Sequence, residues 1–128
     1  MKITFESKAK VIANFEGFEV RTDLAKELGG DGTALNPFQL LLTSLSCCQG
    51  LFARQYISKH GIEVSDKHIE VSFEFDANSD LTKVTNYLFV GKNFPAEMET
   101  PLINAVKACK VKKHLNPAIA FEYNIVRE

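Results

Sequence analysis

Apolar and polar residues alternate over several short stretches of the chain. Ile3 and Phe5 oppose Thr4 and Glu6. Val11, Ala13 and Phe15 keep the period of two, and Phe18 and Val20 resume it after Glu16-Gly17. Successive strand residues point to opposite faces, so residues 2–20 predict a short meander with a hairpin turn at Gly17. The clearest half-buried strand sets Ile69, Val71, Phe73 and Phe75 against Glu70, Ser72, Glu74 and Asp76. Asn78-Ser79-Asp80 supplies a turn, and residues 83–90 form the antiparallel partner. Ile119, Phe121, Tyr123 and Ile125 predict a last strand.

Between Asn36 and Gly61 the period changes. The run NPFQLLLTSLSCCQGLFARQYISKHG opens with an N-cap asparagine, a proline at the first helical position and Gln39 placed to reach back in a capping box. Gly61 is placed to end the helix in the left-handed conformation, with Ile62 packing back on it. No charged residue occurs from Gly32 through Ala53, and the leucines go most of the way round. The first half is therefore expected to be buried on nearly all sides, as a central core helix. Pro37, Gln39, Thr43, Ser44, Ser46 and Gln49 interrupt the apolar run and argue against a membrane span. A second helix is expected from about Pro101, capped by Thr100 and stopped by Asn116-Pro117. Leu102, Val106 and Cys109 share its apolar stripe, and Lys107, Lys110, Lys112 and Lys113 suit its C-terminal end. Residues 23–35 hold Gly29, Gly30 and Gly32 as a loop; no strand runs directly into it and no GK[ST] follows, so it is not a phosphate cradle. Strands, long helix, hairpin, helix and strand make an α+β class with antiparallel pairing, in one domain over residues 1–128.

Composition narrows the function classes. The chain has 128 residues, 45% hydrophobic and 24% charged, with a net charge of −1. No strong field draws it to nucleic acid or an anionic membrane. The charged, alternating N-terminus is not a signal peptide, so a cytoplasmic, reducing setting is expected. The three cysteines, Cys47, Cys48 and Cys109, include no CxxC pair, which disfavours both a disulfide framework and a closed zinc site. His60, His68 and His114 are each expected at the surface or as helix-dipole partners, and no metal ligand set is spaced among them.

The cysteines are the one visible chemistry. Cys48 shares a helix face with Leu41, Leu45 and Phe52, while Cys109 faces inward from the second helix. Free cysteines are often small core hydrophobes, so an inert pair is one reading; a peroxidatic thiol with a resolving thiol is the other. Cys47 and Cys48 project about 100° apart on a helix and are poor partners for each other. A disulfide, if one forms, uses Cys109.

The run KELGGDGTALNPFQLLLTSLSCCQG resembles the loop and first helix of the OsmC/Ohr proteins, the osmotically inducible and organic hydroperoxide resistance proteins. AVKACKVKKHL resembles their second helix, with its second cysteine. The resemblance implies an OsmC-like fold and an intertwined homodimer with two active sites at the subunit interface. It implies reduction of organic hydroperoxides with no metal or organic cofactor. By this resemblance, counted from Asn36-Pro37, Cys48 takes the peroxidatic position and Cys109 the resolving one, leaving Cys47 as the extra thiol; a dithiol donor, such as one of lipoyl type, reopens the disulfide. The best-known peroxidases of the family follow Asn-Pro with a glutamate that holds an arginine from the first hairpin near the thiol. Here Phe38 and Ser7-Lys8 occupy those places, which leaves Lys8, Lys10 and Arg21 as candidate cations for Cys48. Two rival readings keep the fold without the enzyme: a dimer that binds a small apolar ligand at its interface, and a structural dimer with inert cysteines.

Overall fold

The computed structural model describes residues 1–128. The strands are β1 (Lys2–Phe5), β2 (Val11–Phe15), β3 (Phe18–Thr22), β4 (His68–Phe75), β5 (Leu81–Val90) and β6 (Ala120–Arg127); the helices are α1 (Pro37–Lys59) and α2 (Glu99–Lys107). Short 3-10 turns lie at Lys26–Leu28, Ala96–Met98 and Lys112–His114. Two compact units divide within α1, residues 1–44 and 45–128.

In the first unit, β1, β2 and β3 form an antiparallel sheet. Glu16 and Gly17 both take positive φ, 49° and 84°, between the paired Phe15 and Phe18. That is the two-residue hairpin turn whose twist matches the strands. Asp23 then organises the glycine-rich loop. Its carboxylate accepts bonds from Leu24 N (2.8 Å), Asp31 N (3.2 Å), Thr33 N (3.1 Å) and Thr33 Oγ1 (2.8 Å). The loop closes so tightly that a Cβ on Gly30 would lie 1.9 Å from the Leu24 carbonyl oxygen, so only glycine fits. α1 opens on the expected capping box: Gln39 N donates to Asn36 Oδ1 at 2.8 Å and Asn36 N to Gln39 Oε1 at 2.9 Å.

The second unit holds the remainder of α1 and a sheet of order β4-β5-β6. β4 and β5 pair antiparallel, as the alternation predicts; β5 and β6 pair parallel. The reason is the connection through α2, which crosses from the end of β5 and returns β6 in the same direction, as a parallel pair requires. Three rows face the core: Ile69-Leu88-Ile125, Val71-Asn86-Tyr123 and Phe73-Val84-Phe121. From this part of α1, Leu45, Gln49, Ala53 and Ile57 are buried at spacing i, i+4. The expectation of burial on nearly all sides is not met within one chain: Leu41 and Leu51 are 43% and 51% exposed. The C-terminus of α1 is a Schellman ending, with Gly61 N bonding Ser58 O, Ile62 N bonding Ile57 O and Gly61 at φ 69°. α2 starts at Glu99 rather than after a Thr100 cap, and it ends at Lys107. Cys109 and His114 therefore lie beyond it, in a turn that leads into the Lys112–His114 3-10 segment. No helix is long and apolar enough to cross a membrane.

Candidate functional site

The structure brings Cys48 and Cys109 together. Cys109 is wholly buried with Leu45 and Val84, and Cys48, Val71, Phe73, Val111, Leu115 and Phe121 pack around them. The register explains the meeting. α1 lays Leu45 and Cys48 over the Phe73-Val84-Phe121 row, and the turn after α2 carries Cys109 into the same apolar layer. Cys47, next door on α1, is exposed.

The two thiols are driven apart in acidity. Burial pushes the Cys48 thiol up, but a hydrogen bond from the Cys109 thiol and the backbone N–H groups of Val111 and Lys110 outweigh it, so its pKa falls below the ordinary value. Burial also pushes Cys109 up, and the neighbouring Cys48 adds to the rise. Lys112 N donates to Cys109 Sγ at 3.4 Å, opposing that rise only in part. Successive N–H groups of a turn form an anion-binding concavity, so backbone dipoles here do the work expected of a cation. The three candidate cations carry carboxylate partners instead: Lys8 and Lys10 bind Asp31, and Arg21 binds Glu6 at 3.0 Å and Glu19 at 2.7 Å.

The histidines stand elsewhere. His60 Nδ1 lies 2.8 Å from Tyr56 O, His68 stacks on Phe89 with centroids 4.4 Å apart, and His114 is exposed. No three His, Cys, Asp or Glu side chains come together to hold a metal ion. A pocket of about 290 Å³ opens in the second unit, lined by Ala53, Arg54, Ile57, Ile69, Phe89 and Leu102 among others. Sequence reasoning missed Gln49, which is wholly buried beside Cys48 and faces the Tyr123 hydroxyl. The available signal was a glutamine at spacing i, i+4 between Leu45 and Ala53.

A model of the OsmC-like protein family matches residues 30–124, which include both helices and both thiols. The chain belongs to the OsmC-like protein family. Solved structures of similar fold cover nearly the whole OsmC-like chain. A Psychrobacter arcticus protein assigned to the osmotic stress and detoxification response is 20% identical over 99% of this chain and 93% of that one, with a TM-score of 0.78. An OsmC-like protein from Mycoplasma pneumoniae is 15% identical over 98% and 94%, with a TM-score of 0.76. An organic hydroperoxide resistance protein OsmC from Legionella pneumophila is 17% identical over 97% and 93%, with a TM-score of 0.63. At these identities the likeness establishes the fold. No curated protein sequence matches this OsmC-like chain.

Proposed function

We propose that this OsmC-like chain is a thiol peroxidase for organic hydroperoxides. The observation that carries the reading is the meeting of Cys48 and Cys109 in one apolar cluster, with donors aimed at the Cys48 sulfur. The Cys48 thiolate attacks the distal oxygen of ROOH, the O–O bond breaks, and Cys48 becomes a sulfenic acid while RO⁻ leaves and takes a proton as ROH. Cys109 then displaces water from that sulfenic acid and closes the disulfide. A dithiol donor reopens it by exchange and leaves as its own disulfide. The reading includes a homodimer and a reducing cytoplasm.

The test is consumption of cumene hydroperoxide with dihydrolipoamide as donor. The parent chain should turn over steadily, and Cys48→Ser should abolish turnover, because a hydroxyl at neutral pH is a far weaker nucleophile than a thiolate. Cys109→Ser should complete one oxidation and then over-oxidise, and Cys47→Ser should be silent. Undiminished consumption by C48S would refute the reading. The apolar pocket beside Ala53 and Ile57 favours a second one, a dimer that binds a small apolar ligand. In that case no peroxide is consumed, and a hydrophobic fluorescent probe binds with 1:1 stoichiometry and is lost on Ala53→Phe.

A further inference from the structure

Four buried side-chain atoms have no hydrogen-bond partner in the chain: Gln49 Nε2 and Oε1, Asn86 Oδ1 and the Tyr123 hydroxyl. They converge on one place. Asn86 and Tyr123 are Cα partners across β5 and β6, so their side chains share the core face of the sheet. Gln49, on α1 one residue past Cys48, turns its amide to the Tyr123 hydroxyl, near enough to oppose the burial that lifts the phenol to about 12 but outside hydrogen-bond geometry. Gln49 and Asn86 are both 0% exposed. A buried polar group left unpaired keeps its full desolvation penalty. Two amides and a phenol present both donors and acceptors, and a buried water is the ligand that meets several such groups at once.

The cluster borders the thiols. Asn86 and Tyr123 form the core-face row next to Val84 and Phe121, which pack with Cys109, and Gln49 lies one helical turn past Leu45, which packs there too. Cys109 is 0% exposed, so bulk solvent does not reach its sulfur. That matters when the disulfide of the preceding reading, on which this inference rests, is reopened. The thiolate of a dithiol donor attacks the half-buried Cys48 sulfur, the S–S bond breaks, and the electron pair departs on Cys109. The donor's second thiol then attacks the mixed disulfide, releasing Cys48 as thiolate and giving up the proton that Cys109 takes. Between those two events an anion stands on the most buried sulfur of the chain.

We propose that Gln49, Asn86 and Tyr123 hold a buried water beside the thiol pair, and that this water and the Tyr123 hydroxyl donate hydrogen bonds to the departing Cys109 thiolate. The other groups facing Cys109 fit the role. Cys48 comes from α1, Lys112 gives its backbone N–H, β5 contributes the uncharged Val84, and β6 contributes Phe121. The Lys107 and Lys112 ammonium groups stand 5.4 and 5.6 Å from the centroid of the Tyr123 ring.

The experiment uses the full chain with Cys47 and Cys48 replaced by serine, which leaves Cys109 as the only thiol and needs no peroxidase activity. Ultraviolet thiolate absorbance against pH gives the Cys109 pKa. Tyr123→Phe should raise it by about one unit, the tenfold effect of losing one hydrogen bond to a charged group. Gln49→Met keeps the hydroxyl but removes the amide that holds the water, and it should move the pKa in the same direction. A high-resolution crystal structure of the reduced parent should show a water bonded to Gln49, Asn86 and Tyr123. A Cys109 pKa that neither variant moves, or a dry cluster in which Gln49 bonds Tyr123 directly, would overturn the proposal. A chain that shows the shifts but consumes no peroxide refutes the peroxidase reading and leaves the water site standing. An active peroxidase with an unmoved pKa does the reverse.

Discussion

A thiol three turns into a helix lies beyond the useful reach of that helix's N-terminal dipole, and apolar surroundings keep it protonated. Cys48 escapes because donors arrive from another element: the Cys109 thiol and the N–H groups of Val111 and Lys110. Alkylation of Cys48 by iodoacetamide, followed in a Cys47→Ser background, should therefore rise with pH and level off with a midpoint below the ordinary thiol value of about 8.5. Cys109→Ser replaces the thiol donor and should shift that midpoint. A midpoint at or above the ordinary value in the parent would contradict the donor arrangement. Asp23 is the acidic counterpart in the first unit. It is covered by its own loop rather than by a deep core, and four hydrogen bonds overcome the burial cost and hold its pKa at about 2. Its folded pKa lies below the unfolded value of about 3.9. Its stabilisation is thus fully present above pH 4 and is lost as pH falls towards about 2. Asp23→Asn should remove that part of the acid sensitivity in a series of urea melts from pH 5 to about 2, and should lower stability at pH 7.

At the scale of elements, both ends of α1 follow from local chemistry. Asn36→Ala removes the side-chain oxygen that accepts from Gln39 N, leaving the bond from its own backbone N–H to Gln39, and should cost about 1 kcal/mol in urea unfolding. Gly61→Ala forces a Cβ into the left-handed conformation at φ 69° and should cost about 1 kcal/mol by the same measurement. Equal stability in either variant would mean that the end in question frays without consequence. The strands were legible for the same local reason: alternation marks a half-buried face wherever the chain is extended. Two element-level features were not. The apolar stripe of α2 continues past Lys107 to Cys109 in the sequence, yet the chain turns there and buries Cys109 from a non-helical position. The direction of β6 was equally hidden, since alternation is identical in parallel and antiparallel strands and only the crossover through α2 sets it.

At the scale of the whole molecule, the apolar residues outnumber the places one chain provides for them. One face of the first unit's sheet carries Phe5 at 81% exposure, Phe18 at 75% and Phe15 at 50%, with Ile3 and Val20 beside them. Soluble monomers rarely leave such a contiguous apolar face open. A homodimer with a large, apolar interface is expected, in which a second copy covers this face. Sedimentation equilibrium at micromolar concentration should give twice the 14.3 kDa chain mass. Phe5→Asp with Phe18→Asp should shift the mass to one chain, and a parent that sediments as a single chain would count against the dimer. The sequence by itself determined the α+β class, the strands and the caps of α1. Each of these depends on residues within a few positions of one another, where spacing and backbone preference act directly. The tertiary structure alone decided that Cys48 and Cys109 share one cluster, that backbone N–H groups rather than a lysine or arginine act on Cys48, and that Gln49 turns to Tyr123 on the core face Tyr123 shares with Asn86. Those contacts join α1, β5, β6 and the turn after α2. Packing and strand register bring them together, and a local pattern of hydrophobic and polar positions carries no information about either.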